Sequence, residues 1–375
     1  MAKKDNVPAN AVRKPTPKKK FSLDDFKKKV GAEKVASKPL QWIPIDDSLK
    51  EATGMPGVPK GYVSLFRGYS NTGKSTALMR AVVNAQKMGI LPIIIDTENN
   101  IDEGNERLTL MGFDWEGDYL LIKNKYLLEN FGKLQDKDRK EASIEDLAKC
   151  MYYFLDQQDA GLLPFDLFFA IDSIGTLNCI KTINALEKDT SDNNMWNAGA
   201  YEKSFMSMLN NTIPNTRRVD SPYTNTVGAV QKIWYDSMNK VIKHKGGEAW
   251  WFVSRLIFHF GGILTHGTKR VTFTSKGRDV NFGFENKVNI GKNHIDGQWG
   301  GISLEGKIIS TPHGFVYPNG IDDYKKKNIL HFRNIFEDDT LTAEDIIMAI
   351  KPMDAEGNVI SDLIEKSPSI DNTEE

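Results

Sequence analysis

The residues richest in chemistry lie together, at Gly68-Tyr69-Ser70-Asn71-Thr72-Gly73-Lys74-Ser75-Thr76. Gly68 to Ser75 fits G-x-x-x-x-G-K-[ST], a phosphate-cradling P-loop. Gly68 and Gly73 let the backbone turn tightly, so successive N–H groups point inward at phosphate oxygens. Lys74 is a point charge for β- and γ-phosphates, and the Ser75 hydroxyl is a hard donor suited to Mg²⁺. An apolar run (Tyr62, Val63, Leu65, Phe66) leads into the loop, and a helical pattern from Thr76 to Met88 leads out. The start of that helix adds partial positive charge at the phosphates. A glycine-rich turn before an ordinary helix is the bland alternative, and the strand–loop–helix context weighs against it.

Two further apolar runs end in carboxylates. Leu91 to Asp96 reads as a strand, with Pro92 tolerated at its start, and passes into Thr97-Glu98. Phe165 to Ile171, between Pro164 and Gly175, is the most apolar short run and ends in Asp172-Ser173. It fits a buried parallel strand. Ligands of open α/β sheets gather at the carboxyl ends of strands. Asp172 is therefore expected to share Mg²⁺ with Ser75, directly or through water. Glu98 or Asp96 is expected to orient the water that attacks the terminal phosphate, and chemistry alone does not choose between them.

Two segments combine polar loops with aromatics. Glu187–Ala200 carries Met195, Trp196 and Asn197; Lys232–Gly247 carries Lys232, Trp234, Tyr235, Lys240, Lys243, His244 and Lys245 and closes on Gly246 and Gly247. Cations track phosphates and flat rings stack on bases, at ~1–3 kcal/mol per base. Such segments suit a single strand of nucleic acid; the plain alternative is a solvated surface loop. Asn225 to Val230 reads as a short strand ending at Gln231, just before the second segment.

The elements that hold these residues alternate strand and helix as far as Asp172, which argues for a doubly wound α/β sheet. Asp102 to Met111 and Ser143 to Leu155 read as helices, the second opened by a capping box at Ser143–Asp146. Tyr119–Ile122 reads as a strand, Asn124 to Ala142 as a solvated loop, and Tyr201–Asn210 as helical. Ala249–Phe260, Arg270–Phe284 and Phe315–Tyr317 read as strands, and Leu341–Ile350 as a short helix. The net charge of −1 hides a polarity. The first 38 residues hold about a dozen Lys/Arg against about four acids, and Glu337 to Glu375 reverses this. Three parts are expected: a basic flexible arm with a short oligomerisation helix from Ser22 to Val30 (1–38), a core (39–330), and a short helix with an acidic tail (331–375). Cys150 and Cys179 show no metal-ligand spacing, and no apolar run reaches membrane length. A reduced, cytoplasmic setting is the simpler reading.

In combination these residues resemble the RecA-type recombinases, and most of all the UvsX-type phage members. The likeness spans roughly Gln41 to Val316 and rests on GVPKGYVSLFRGYSNTGKST, IIIDTEN, LFFAIDSIGTL, VGAVQ, KGGEAWWFVSRL and KNH, in that order. The resemblance implies a RecA-like P-loop ATPase core with a mostly parallel sheet and antiparallel C-terminal strands. It implies ATP and Mg²⁺ as cofactors, with Glu98 polarising the attacking water and Asp172 organising the metal. By the same likeness, Gln231 links the γ-phosphate to the second DNA loop. Glu187–Ala200 and Ile233–Gly247 correspond to the two DNA loops, with Gly246-Gly247-Glu248-Ala249 as the exit. Lys292 and His294 fall where bacterial members carry a Lys-x-Lys pair that reaches the neighbouring subunit's ATP. The second Lys is a His here, and a typical His is mostly uncharged at neutral pH. The activity implied is a DNA-dependent ATPase that forms helical filaments on single-stranded DNA and exchanges strands with double-stranded DNA. A single-strand-binding protein and a loader are implied partners. A hexameric DNA helicase and a structural DNA-binding filament with little ATPase activity are the alternatives.

Overall fold

The computed structural model describes residues 22–29, 36–132, 139–180, 182–183, 205–236, 238, 241–244, 249–261, 269–275, 278–295 and 306–328. By its internal contacts the chain divides into Met1–Ser37 and Lys38–Glu375. In the first unit a helix, α1, spans Leu23–Lys29. Ser22 caps it, its Oγ accepting from the Asp25 N–H at 3.3 Å. Residues 1–20, expected as a basic arm, lie outside the described residues.

The second unit opens with β1 (Trp42–Pro44), α2 (Asp47–Thr53) and β2 (Gly57–Pro59), the two strands forming an antiparallel ribbon. The central elements follow: β3 (Val63–Gly68), α3 (Lys74–Lys87), β4 (Leu91–Asp96), α4 (Glu106–Leu110), β5 (Leu120–Lys123), α5 (Asn124–Phe131), α6 (Ile144–Asp159) and β6 (Leu167–Asp172). Then come β7 (Thr226–Asp236), β8 (Val241–His244), α7 (Ala249–Val253), β9 (Leu256–Phe260), β10 (Lys269–Ser275), β11 (Arg278–Asn293), β12 (Gly306–Thr311), β13 (Gly314–Val316) and α8 (Ile321–Asn328).

Among the described residues the main sheet has eleven strands, ordered β13-β12-β11-β9-β3-β7-β6-β4-β5, with β10 on β11 and β8 on β7. The run from β9 to β5 is parallel throughout, and β10 to β13 add antiparallel pairs at the other side. This is the mixed α/β architecture expected: a large, mostly parallel sheet flanked by helices. Both faces of the parallel strands are covered, which is why β4 and β6 read as unbroken apolar runs. Side chains alternate between faces. Val63, Leu65, Ile93, Ile95, Phe169 and Ile171 pack with α6, whereas Phe66, Ile94, Phe168 and Ala170 pack with α3. Among the described residues no helix is long and apolar enough to cross a membrane.

Several sequence readings need correction. Asn124 to Ala142 is not a plain loop: α5 buries Leu127, and Arg139 is a buried partner of Asp146. Charged residues interleaved with Leu127, Leu128 and Phe131 hide the helical period there. The helix expected from Asp102 begins later, because Asn105 supplies the cap, its Oδ1 accepting from the Leu108 N–H at 3.2 Å. The second basic segment is not a loop after Gln231. β7 runs on to Asp236 and pairs antiparallel with β8, as alternating Ile233, Trp234 and Tyr235 favour strand. Ala249–Phe260 is not one strand: Trp250 buries itself on α7, and Ser254 Oγ donates to the Trp250 carbonyl at 2.7 Å where the helix stops. Arg270–Phe284 is divided between the paired strands β10 and β11. The helical run after Phe205 passes through a π turn, Met208–Thr212, before Ile213–Asn215. Pro214 lacks the N–H that a regular turn would need. Leu341–Ile350 and the acidic tail lie outside the described residues.

The N-terminus of α6 carries a capping box, Ser143 with Asp146, and Asp146 also pairs with Arg139; the two side chains are 0 % and 2 % exposed. Asp146→Ala strands a buried cation and removes a cap. It is expected to cost about 3–5 kcal/mol, read from the urea midpoint at unchanged slope.

Candidate functional site

The phosphate loop opens where β3 ends. A Cβ added at Gly68 would lie 2.3 Å from the Phe260 carbonyl oxygen, so only glycine lets β3 and β9 approach this closely. Gly73 has φ +98°, and a Cβ there would also press on the Phe315 ring. Between them Tyr69 and Thr72 are buried, Ser70 is half-buried and Asn71 is exposed. Thr72 Oγ1 donates to the Tyr69 carbonyl at 2.8 Å, and the Lys74 ammonium donates to the same oxygen. Lys74, Ser75 and Thr76 form the first turn of α3.

Adjacent parallel strands bring the carboxylates to this loop. Asp96 and Asp172 are level on β4 and β6. Beyond them, the Thr97 N–H donates to the Asp172 carbonyl at 2.9 Å and Thr97 Oγ1 donates to the Ser173 carbonyl at 2.6 Å. The Asp172–Ser173 peptide is cis. Glu98 is held at both oxygens: Ser173 Oγ donates to Oε1 at 2.7 Å and Asn100 Nδ2 to Oε2 at 3.0 Å. Asp96 accepts from the Glu98 N–H at 3.2 Å and the Ile101 N–H at 2.8 Å. Its carboxylate thus shapes the turn, and Glu98 is the exposed acid of the two.

Burial dominates the electrostatics. It draws the Lys74 ammonium down to about 8, against the attraction of Asp172 and Glu98 and with added repulsion from Lys232. It pushes the Asp172 carboxyl up to about 6, partly opposed by a hydrogen bond from the Ser75 side chain. Asp172 Oδ1 is buried and has no hydrogen-bond partner among the described residues. A hydroxyl beside a carboxylate with an unused oxygen fits a hard cation such as Mg²⁺. The described residues contain no cluster of three or more His, Cys, Asp or Glu side chains suited to a metal. Few protein ligands suit Mg²⁺, which keeps waters and substrate phosphates around it.

A cleft of about 440 Å³ extends from this loop. Its walls are Glu106, Arg107 and Leu110 of α4, Asn281 to Phe284 of β11, and Ser310 to Pro312 at the end of β12. None of the three walls was read from the sequence. Thr76 Oγ1 and Ser310 Oγ lie 2.7 Å apart, and the Arg107 guanidinium donates to Thr76 Oγ1. Arg107 is exposed as a residue, yet desolvation lowers the pKa of its guanidinium against the pull of Asp172. Nothing in the residue types marks these walls; strand pairing brings β11 and β12 to the loop, and α4 follows β4.

The remaining expected site residues are spread more widely. Gln231 is buried and level with Arg67, and exposed Lys232 is level with Gly68. Trp234 and Tyr235 are 42 % and 37 % exposed on the β7–β8 hairpin. Lys243, opposite Trp234, forms an ion pair with Asp236 at 2.5 Å. Lys292 donates to the Trp251 and Phe252 carbonyls at 2.6 and 3.1 Å, at the C-terminus of α7. Burial and Arg255 lower it to about 8. His294 is exposed, its pKa lowered by desolvation, Lys292 and Arg255. Met195, Trp196, Asn197, Lys245, Gly246 and Gly247 lie outside the described residues.

An acid whose folded pKa exceeds its unfolded value costs stability above the folded pKa, and the cost vanishes below the unfolded one. Asp172→Asn is therefore expected to stabilise the ligand-free protein at pH 7–8, by about 1–3 kcal/mol. The gain should shrink between pH 6 and 4 and vanish below. Thermal melts across that range check this; a gain independent of pH contradicts a raised carboxyl.

No family model matches the chain. Parts of it are similar to curated proteins named "Protein RecA". The one from Aquifex pyrophilus is 38% identical over 55 residues, 15% of this chain and 16% of that protein. The one from Chlamydia felis is 44% identical over 57 residues, 15% and 16% of the two chains. The one from Frankia alni is 40% identical over 65 residues, 17% and 19%. The matched segments thus span under a fifth of these relatives' own length. Together with the mostly parallel α/β sheet, this partial similarity supports a RecA-type kinship.

Proposed function

We propose that this chain is an ATP-dependent DNA recombinase of RecA type, akin to the UvsX-type phage members, that assembles as a helical filament on single-stranded DNA and exchanges strands. The observation that carries the reading is β7: one strand leads from buried Gln231, level with Arg67 near the end of β3, to exposed Trp234 and Tyr235. A nucleotide site and an aromatic, basic hairpin are thereby parts of one element.

The residues divide the work as follows. Backbone N–H groups from Tyr69 to Thr76 cradle the phosphates of ATP, and Lys74 neutralises their β- and γ-oxygens. Ser75 and Asp172 would hold Mg²⁺, which supplies charge for the phosphates when bound. Glu98, oriented by Ser173 and Asn100, accepts a proton from the attacking water. Gln231 reports the γ-phosphate to the hairpin, where Lys232 and Lys243 meet backbone phosphates and Trp234 and Tyr235 meet bases. Met195, Trp196 and Asn197 belong to the first DNA-contacting segment, and Lys245, Gly246 and Gly247 close the second. Lys292 and His294 are the positions from which a neighbouring copy's nucleotide would be reached in the filament, Lys292 only by leaving the Trp251 and Phe252 carbonyls.

On this reading residues 1–38 are a basic arm with the oligomerisation helix, 39–330 the ATPase core, and 331–375 a short helix and acidic tail. The protein works in the cytoplasm, of a host cell if viral, with a single-strand-binding protein and a loader.

Lys74→Ala is expected to abolish DNA-stimulated phosphate release, and normal turnover would refute the site. Trp234→Ala should weaken binding of a single-stranded oligonucleotide by ~1–3 kcal/mol per lost stack, measured by anisotropy with a slowly hydrolysed ATP analogue. Electron micrographs of that mixture should show helical filaments; closed rings would favour a helicase instead.

A further inference from the structure

Arg67 is the last side chain of β3 before the phosphate loop, and no step above uses it. It is level with Gln231 of β7 on one side and His259 of β9 on the other. Residues level on parallel strands share a face. These polar side chains therefore sit at the carboxyl end of the face that carries Leu65, Ala229 and Ile257 into the core. The guanidinium carbon of Arg67 lies 5.4 Å from the ring centroid of Trp251 on α7. Its Nη2 is 3.2 Å from Nδ1 of His244 on β8. A guanidinium has only donors, so Nδ1 must accept, and the imidazole proton belongs on Nε2. One planar cation thus joins the phosphate-loop strand, the return strand of the hairpin and the helix that follows it. A lysine ammonium would not present the same planar surface to Trp251 while donating to His244.

We infer that Arg67 is the positioning residue that fixes the β7–β8 hairpin against the strand bearing the phosphate loop. His244 is opposite Ile233, the residue before Trp234. The contact therefore sits between Gly68 and the exposed rings, one residue from each end. Arg67 acts through the hairpin and touches neither nucleotide nor DNA. The inference rests on the reading that the hairpin grips single-stranded DNA, so its test needs one readout with DNA and one without.

The DNA-free readout is hydrogen exchange of the Val241–His244 amides in the full chain. Arg67→Gln and His244→Phe should speed exchange about tenfold, the loss expected for one charge-assisted hydrogen bond. His244→Asn, whose Oδ1 can stand where Nδ1 stood, should stay within about threefold of the wild type. The second readout is anisotropy of a labelled oligothymidylate with a slowly hydrolysed ATP analogue and Mg²⁺. Arg67→Gln should weaken it about tenfold while the analogue's own affinity stays within about twofold. Unchanged exchange in both Arg67→Gln and His244→Phe overturns the positioning role. Faster exchange with unchanged oligonucleotide affinity, where Trp234→Ala does weaken binding, shows that the latch does not serve DNA and overturns the inference. If Trp234→Ala also binds normally, the hairpin reading itself falls and takes the inference with it. Should Arg67→Gln fail to fold, the His244 pair decides by the same two readouts.

Discussion

Lys74, in the first turn of α3, and Asp172, at the end of β6, are opposite charges withdrawn from water, and each is shifted towards its neutral form. Their mutual attraction does not repay the solvation they lose. The ligand-free site is therefore electrostatically incomplete by construction. Phosphate oxygens next to Lys74 and a hard cation next to Asp172 would each supply the opposite charge that burial has withheld. The sheet meets this cost with apolar packing on both faces. Phe168, Phe169 and Ile171 on β6 are fully buried, so the strand that ends in Asp172 is among the best anchored in the chain.

The same geometry explains the division between Asp96 and Glu98. Both follow a strand end, yet Asp96 spends its oxygens on two backbone N–H groups while Glu98 is held by side chains at the rim. Thr97 sits between them and binds the chain on either side of the Asp172–Ser173 peptide. Positioning is thus supplied by short polar residues next to the acids, in a turn that a buried carboxylate keeps closed.

How far the sequence could be read follows from how local each determinant is. The strand–turn–helix from β3 to α3 was legible because its glycines and flanking apolar residues lie within a few residues of one another. The buried strands β4 and β6 and the box at Ser143–Asp146 were legible for the same reason. The walls of the cleft were not, since Ser310 reaches Thr76 across 234 residues of chain. α5 was obscured by charge, and α7 by aromatics that suit strands as well as helices. The length of β7 is masked because Trp234 and Tyr235 suit ligand contact as well as strand, and both properties come from the same residues. A basic residue type does not show its partner: the charge of Lys243 is shared in an ion pair with Asp236.

The hairpin beyond Gln231 has a geometric consequence. Trp234 and Tyr235 are consecutive on β7, and consecutive side chains of a strand project to opposite sides. The two rings therefore stand back to back, about one strand thickness apart, and cannot form a flat platform. A flexible chain that touched both would have to fold around the rim of the ribbon, one surface meeting each half of it.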